Sequence, residues 1–410
     1  MLRVSVLSPS SQPLMPTKAS RARRWLKKGK AKIAHNDLGI FQIQLVVKPS
    51  GTKTQSIAVG IDPGKHYTGI GVQSAKLTLW LAHLQLPFKT VRERMKQRAM
   101  MRRRRRGKRI NRKIAFTKRA HRQKRFDNRR QCKIPPSIRA NRELEIRVFK
   151  ELIKIYPVSD VAYEIIKACG DKGFSPVMVG QNWALNFYLH CPLQNGAGLY
   201  CYYPMGPTSY SLAKPAPFCY VEDPHYACGW FWKLHKIEGW QTANIRQHLG
   251  FNKQKHSKGD AIPATHAVDG VALAASAFIR YGVTSSKSQG WIGEVAITSA
   301  QFTIIRRPPI SRRQLHLMVP AKGGVRRKYG GTVTRHGFRK GDYVEATQGN
   351  KTYFGWVSGD TEKQVSVSDQ NWKRLGQFSK NKVRLVQRST GLIVLPTRKL
   401  SNLMASNHQV

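Results

Sequence analysis

The sequence predicts an α/β protein whose central sheet is assembled from segments far apart in the chain. Three observations predict it. Residues 56–62 (SIAVGID) form an apolar strand that ends on an acid and is turned by Pro63-Gly64. Residues 137–156 form an amphipathic helix, with Leu144, Val148, Leu152 and Ile155 on one side, leading into an apolar strand at 158–166. Residues 266–281 (HAVDGVALAASAFIRY) form a helix of small residues suited to close packing on a sheet, followed by a strand or two over 292–305.

The other elements follow in chain order. An alternating strand at 3–7, a basic helix at 18–29 and a strand at 41–47 make a small α+β unit with a basic face. Strands at 67–73 and 77–86 extend the 56–62 strand into a meander. Residues 92–130 hold 20 Arg or Lys, opposed by only Glu93 and Asp127. This run suits one long helix, and its apolar residues are too few for a packing stripe, so phosphates are expected to stabilise it. Residues 187–240 are rich in Tyr, Pro, Gly, Trp and Cys and show no period. From 319 onward, short strands punctuated by Gly, Asp and Asn suggest a small β-barrel-like or SH3-like unit.

Charge points to the partner. The 410-residue chain carries 72 Lys+Arg against 21 Asp+Glu, a formal +51. A compact domain of that charge repels itself, and a polyanion relieves it by releasing counterions. No apolar run reaches the length of a membrane span and no signal-peptide core opens the chain, so a cytoplasmic, nucleoid-associated protein without a membrane partner is expected. The six cysteines form no C-x-x-C pair. Cys191, Cys201, Cys219 and Cys228 are spaced more widely than structural zinc sites usually are, so free thiols are expected there.

Few carboxylates make their placement informative. Asp62 ends the first core strand, Glu164 ends a later one, and His266 and Asp269 share one helix face. Two-metal phosphodiester hydrolysis needs hard oxygen ligands converging on divalent ions. Asp62, Glu164 and Asp269 would hold Mg²⁺, with Mn²⁺ as substitute, and an imidazole at His266 suits the positioning or deprotonation of water. His256 and Asp260 form a competing pair, less favoured because no rigid apolar helix supports them. The order strand-Asp, strand-Glu, helical His-x-x-Asp is the order an RNase H-like fold requires.

Taken together, these motifs resemble the IscB/IsrB family of transposon-encoded RNA-guided nucleases. Pro13-Leu14-Met15-Pro16 is similar to its N-terminal PLMP signature, VGIDPG (59–64) to its first RuvC motif, the Arg-rich run to its bridge helix, VAYEII (161–166) to its second RuvC motif and HAVDG (266–270) to its third. The resemblance implies an RNase H-like (RuvC) core split by insertions. Its parts would be a PLMP domain at 1–52, RuvC segments at 53–90, 132–186 and 241–318, a bridge helix at 91–131, an insertion at 187–240 and a β-rich domain at 319–410 that reads a motif beside the target. It makes Asp62, Glu164, His266 and Asp269 the catalytic set. The implied partners are an omega guide RNA and double-stranded target DNA, in a monomeric ribonucleoprotein. Arg102, Arg103, Arg104, Arg105, Arg106, Arg109 and Arg112 would contact nucleic acid, and Arg326, Arg327, Lys328, Arg335 and Arg339 are motif-reading candidates by charge.

Family members with a second, HNH nuclease carry it between the second and third RuvC motifs. Residues 170–265 show no histidine beside an acid ahead of a suitably spaced Asn, which resembles the HNH-lacking IsrB branch and implies a nickase of the non-target strand. A nuclease-inactive guide-binding protein and an unguided resolvase or transposase are the alternatives.

Overall fold

The computed structural model describes residues 3–108, 113–118, 134–167, 175–189, 232–251, 263–285, 288–310 and 332–397. Strands Arg3–Leu7 (β1), Pro13–Lys18 (β2), Ala31–Ala34 (β3) and Gln42–Leu45 (β4) form a four-stranded sheet in the order β2-β1-β4-β3. Helix Ala19–Lys27 (α1) covers it, packing Ala22 against Val4, Val6, Ile43 and Leu45. The Pro-Leu-Met-Pro segment is therefore a strand paired antiparallel with β1.

The largest sheet has seven strands. Ile57–Pro63 (β5), Tyr67–Ser74 (β6) and Leu77–Gln85 (β7) are the expected antiparallel meander. Asp160–Ile165 (β8) adds parallel to β5, and Lys233–Glu238 (β9) adds parallel to β8 as an edge strand. On the other side Gln301–Arg306 (β12) joins parallel to β7, and Ile393–Thr397 (β18) closes that edge antiparallel to β12. The order is β18-β12-β7-β6-β5-β8-β9. Every residue of β5 is buried because its two faces meet two different layers. Val59 and Ile61 pack with helix Pro136–Ile155 (α3), beside Pro176–Leu189 (α4). Helices Gly239–His248 (α5) and Pro263–Ala275 (α6) cover the opposite face, where Ala162, Ile237, Ile245, Ala272 and Leu273 form one apolar cluster.

The structure departs from several sequence-based expectations. The basic run begins as helix Phe88–Lys108 (α2), but residues 113–118 form a turn and a short 3₁₀ segment, so one continuous helix does not span 92–130. Nor does α2 rely on phosphates alone. Val91, Arg94, Met95, Arg98 and Met101 recur at helical spacing, and α2 packs on α3 with Phe88 and Met101 buried. The methylene stems of arginines complete a stripe that a count of apolar residues misses.

The small-residue helix ends at Ala275. Tyr281 lies in strand Arg280–Ser285 (β10), which pairs with Ser288–Ile292 (β11) in a separate hairpin. Two boundaries also differ. The segment read as an insertion at 187–240 contains β9, and α4 runs on to Leu189. In the C-terminal region, strands Tyr343–Gln348 (β13), Lys351–Asp360 (β14), Gln364–Ser368 (β15), Arg374–Ser379 (β16) and Val383–Gln387 (β17) form a five-stranded antiparallel sheet around Val344, Val357, Val365, Val367 and Phe378. The last strand of that region, β18, leaves it for the main sheet. Short β-rich runs carry no record of which sheet they join, since pairing is decided by partners remote in sequence.

Candidate active site

Asp62 and Glu164 meet because of register. β5 and β8 are parallel with Gly60 opposite Ala162 and Ile61 opposite Tyr163, so one step further Asp62 and Glu164 leave adjacent strands on the same face. That face receives α6. The helix reaches the sheet at backbone contact because the strands carry glycine beneath it. A Cβ on Gly69 would stand 1.6 Å from the carbonyl oxygen of His266, and one on Gly60 would stand 2.0 Å from that of Gly270. The glycines of VGID and TGIG thus set how deep α6 sinks, and that depth delivers His266 and Asp269 to Asp62.

The result is a tight group. Ligand atoms of Asp62, His266 and Asp269 all lie within 4.8 Å of one another. His266 Nδ1 is 3.0 Å from Asp62 Oδ2. Asp62 and Asp269 are buried, whereas His266 keeps about a quarter of its side chain exposed. Glu164 adjoins the group, its carboxyl neighbouring those of Asp62 and Asp269 with Thr242 of α5 beside it. Burial, reinforced by the negative charges of Asp62 and Asp269, pushes the Glu164 carboxyl up to about 9. Without a bound metal ion, burial and these two neighbouring carboxylates favour the protonated form of Glu164 at neutral pH.

The turn that follows Asp62 is fixed from α3. Arg142 Nη2 donates to the Gly64 carbonyl at 2.8 Å, and Asn141 Nδ2 donates to that of Lys65 at 2.9 Å. Arg142 Nη1 also bonds Glu145 at 2.8 Å and the Tyr163 hydroxyl at 3.1 Å, while Thr68 Oγ1 donates to Glu145 at 2.5 Å. Burial raises the Glu145 carboxyl, and Arg142 and Thr68 pull it back. Arg142 and Glu145 are a buried pair that breaking on one side makes costly, so they hold one turn geometry.

Sequence reasoning missed two residues. Arg246 on α5 ion-pairs with Asp269, a contact that helical spacing alone does not forecast because α5 was not legible. His83 on β7 is fully buried, with its ring 4.9 Å from that of Tyr67 and 5.7 Å from that of His266. Burial, helped by His266, lowers the His83 imidazole to about 3, so it backs His266 as a neutral ring. A lone histidine in a β-strand gave no signal of this.

The grouped donors suit a hard divalent ion: carboxylate oxygens from one β-strand and a helix, an imidazole beside them, and the Glu164 carboxyl of the neighbouring strand adjoining. In the basic helix, Arg102, Arg103 and Arg104 are exposed. Arg335 and Arg339 are exposed at the entry to the five-stranded sheet, where their backbone N–H groups donate to Asp360 and Asp342. The side chains of Arg105 and Arg106, and the whole of Arg109, Arg112, Arg326, Arg327, Lys328, His256, Asp260, Cys191, Cys201, Cys219 and Cys228, lie outside the described residues. Most of residues 170–265, where an HNH unit would sit, lies outside them too.

Comparison with known families adds one finding. Residues 4–172 match the family model described as RRXRR protein. That domain type is found in IscB/IsrB-like RNA-guided nucleases. The RRXRR segment runs from β1 to just beyond β8, so it contains Asp62, the arginine run and Glu164 but neither His266 nor Asp269. No curated protein matches the chain. Among the described residues, no helix is long and apolar enough to cross a membrane.

Proposed function

We propose that the protein is an RNA-guided, Mg²⁺-dependent DNA endonuclease of the IsrB type, with an RNase H-like (RuvC) core that nicks the displaced strand. The observation that carries this reading is the convergence of Asp62, His266 and Asp269, with Glu164 beside them, on one face of the central sheet. Such a cluster costs stability unless a cation neutralises it. The RRXRR match over 4–172 and the formal +51 support a nucleic-acid partner.

Bound Mg²⁺ would supply a Lewis acid for the scissile phosphate and a more acidic water. Asp62, Glu164 and Asp269 would hold it, Glu164 releasing its proton as it does so. When Nδ1–H of His266 is donated to Asp62, the lone pair lies on Nε2, the nitrogen left to take a proton from water. The arginines of α2 contribute charge toward the backbone of the guide, and base pairing rather than side chains selects the target.

End-labelling the two strands of an R-loop separately tests the proposal. The expected result is one guide-dependent nick in the displaced strand, absent in EDTA and in Asp62→Ala, with guide-RNA affinity unchanged by that substitution. Cleavage that survives Asp62→Ala would overturn the site, and full RNA binding without any cleavage would favour a nuclease-inactive guide-binding protein.

A further inference from the structure

Helix α5 has two functional faces. Thr242 and Arg246, four residues apart, point to Glu164 and Asp269. Trp240, Asn244, Gln247 and His248 occupy the opposite face, roughly half a helical turn of rotation away at about 100° per residue. There Asn244, Gln247 and His248 border an open cavity of about 300 Å³ against the β10–β11 hairpin, which contributes Tyr281, Gln289 and Trp291.

The chemistry of this cavity is specific. Tyr281 and Trp291 form its aromatic wall, with rings 5.4 Å apart, and the Trp240 ring stands beside that wall, 6.1 Å from Tyr281. Trp240 is 52% exposed and Tyr281 39%, so both rings present apolar surface to solvent. The sides are primary amides, Asn244, Gln247 and Gln289, each able to donate and accept. The lining contains no carboxylate, and the exposed Arg280 stands next to Tyr281 in sequence.

We propose that this cavity binds one unpaired nucleobase of the strand that enters the carboxylate centre. Aromatic faces stack any base, amides read its edge, and the volume sits at the small end of ligand cavities, about 300–1,000 Å³. The cavity lies across the body of one helix from Glu164 and Asp269, about 10–12 Å, so the base belongs to a nucleotide about two positions from the scissile phosphate. The inference rests on the nuclease reading for the identity of the strand, but binding itself needs no cleavage.

The test uses the full-length chain with a single-stranded DNA oligonucleotide carrying 2-aminopurine at successive positions, in EDTA. Fluorescence is expected to be quenched at one position, and the quench to vanish in Tyr281→Ala. An abasic site at that position should weaken binding about tenfold to a hundredfold, the range of one base–aromatic stack. Asn244→Ala with Gln247→Ala, both exposed on a helix and neutral to folding, should weaken it without moving the quenched position. Quenching that is absent everywhere, or unaffected by all three substitutions, overturns the base pocket. If quenching occurs as expected but Mg²⁺ supports no nicking of an R-loop, the pocket stands and the nuclease reading fails. Normal nicking with no quenched position is the reverse outcome.

Discussion

Replacing Glu164 by Gln should make the metal-free protein less sensitive to pH. Glu164 is held near 9 in the fold against an ordinary value of 4.5, so the folded state binds this proton more tightly than the unfolded chain does. A raised carboxyl pKa contributes stability that is present below 4.5 and is lost as pH rises toward the folded value. Linkage over the window from about pH 5 to about pH 8 then gives a loss of about 4 kcal/mol at the full shift, and about 2 kcal/mol if relaxation of the carboxylates halves it. Glutamine resembles the protonated acid in shape and cannot ionise, so Glu164→Gln should remove that loss while leaving the stability near pH 5 within about 1 kcal/mol. Hydrogen exchange of the amides of β5 and β8, measured in EDTA across this window, reports opening of the central sheet directly. Because histidines titrate in the same range, the readout is wild type minus variant. Added Mg²⁺ should protect wild type more at the alkaline end of the window than at the acid end, since it competes with the Glu164 proton, and should protect the variant weakly at both. Parallel pH profiles for the two proteins would refute the assignment of a shared proton to this cluster.

Three further outcomes are expected. Gly69→Ala, whose Cβ would lie 1.6 Å from the His266 carbonyl oxygen, should destabilise by about 3 kcal/mol or more by lifting α6 off the sheet, read as a fall in Tm and loss of Mn²⁺ binding together. Changing Arg102 to Arg106 to Gln should flatten the salt dependence of guide-RNA affinity by about 0.7–0.9 log units for each phosphate the protein no longer neutralises, and an unchanged slope would remove this run from the backbone-binding surface. Replacing residues 342–387 with a short linker should abolish selectivity for a duplex motif beside the target while sparing guide binding. The replacement stops at residue 387 because β18 belongs to the edge of the main sheet.

Much was decided by local sequence. Alternation and apolar runs determined β1, β5, β6, β7 and β8 to within a residue or two, because each strand is buried against a layer that demands that pattern. The amphipathic stripe determined α3 in the same way. The proximity of Asp62, His266 and Asp269, with Glu164 beside them, was also foreshadowed, by three acids and a histidine that close apolar strands or open a small-residue helix in a chain of net +51. What only tertiary structure decided is how these parts meet. The partner of a strand is chosen by long-range pairing, so nothing in KLHKIE or IVLPT announced that they would form the two edges of one sheet. The contact of Arg246 with Asp269 and the position of His83 behind His266 depend on packing depth, which the glycines under α6 set by removing side chains. A missing Cβ has no periodicity of its own, and its consequence appears only when a second backbone comes to occupy the space.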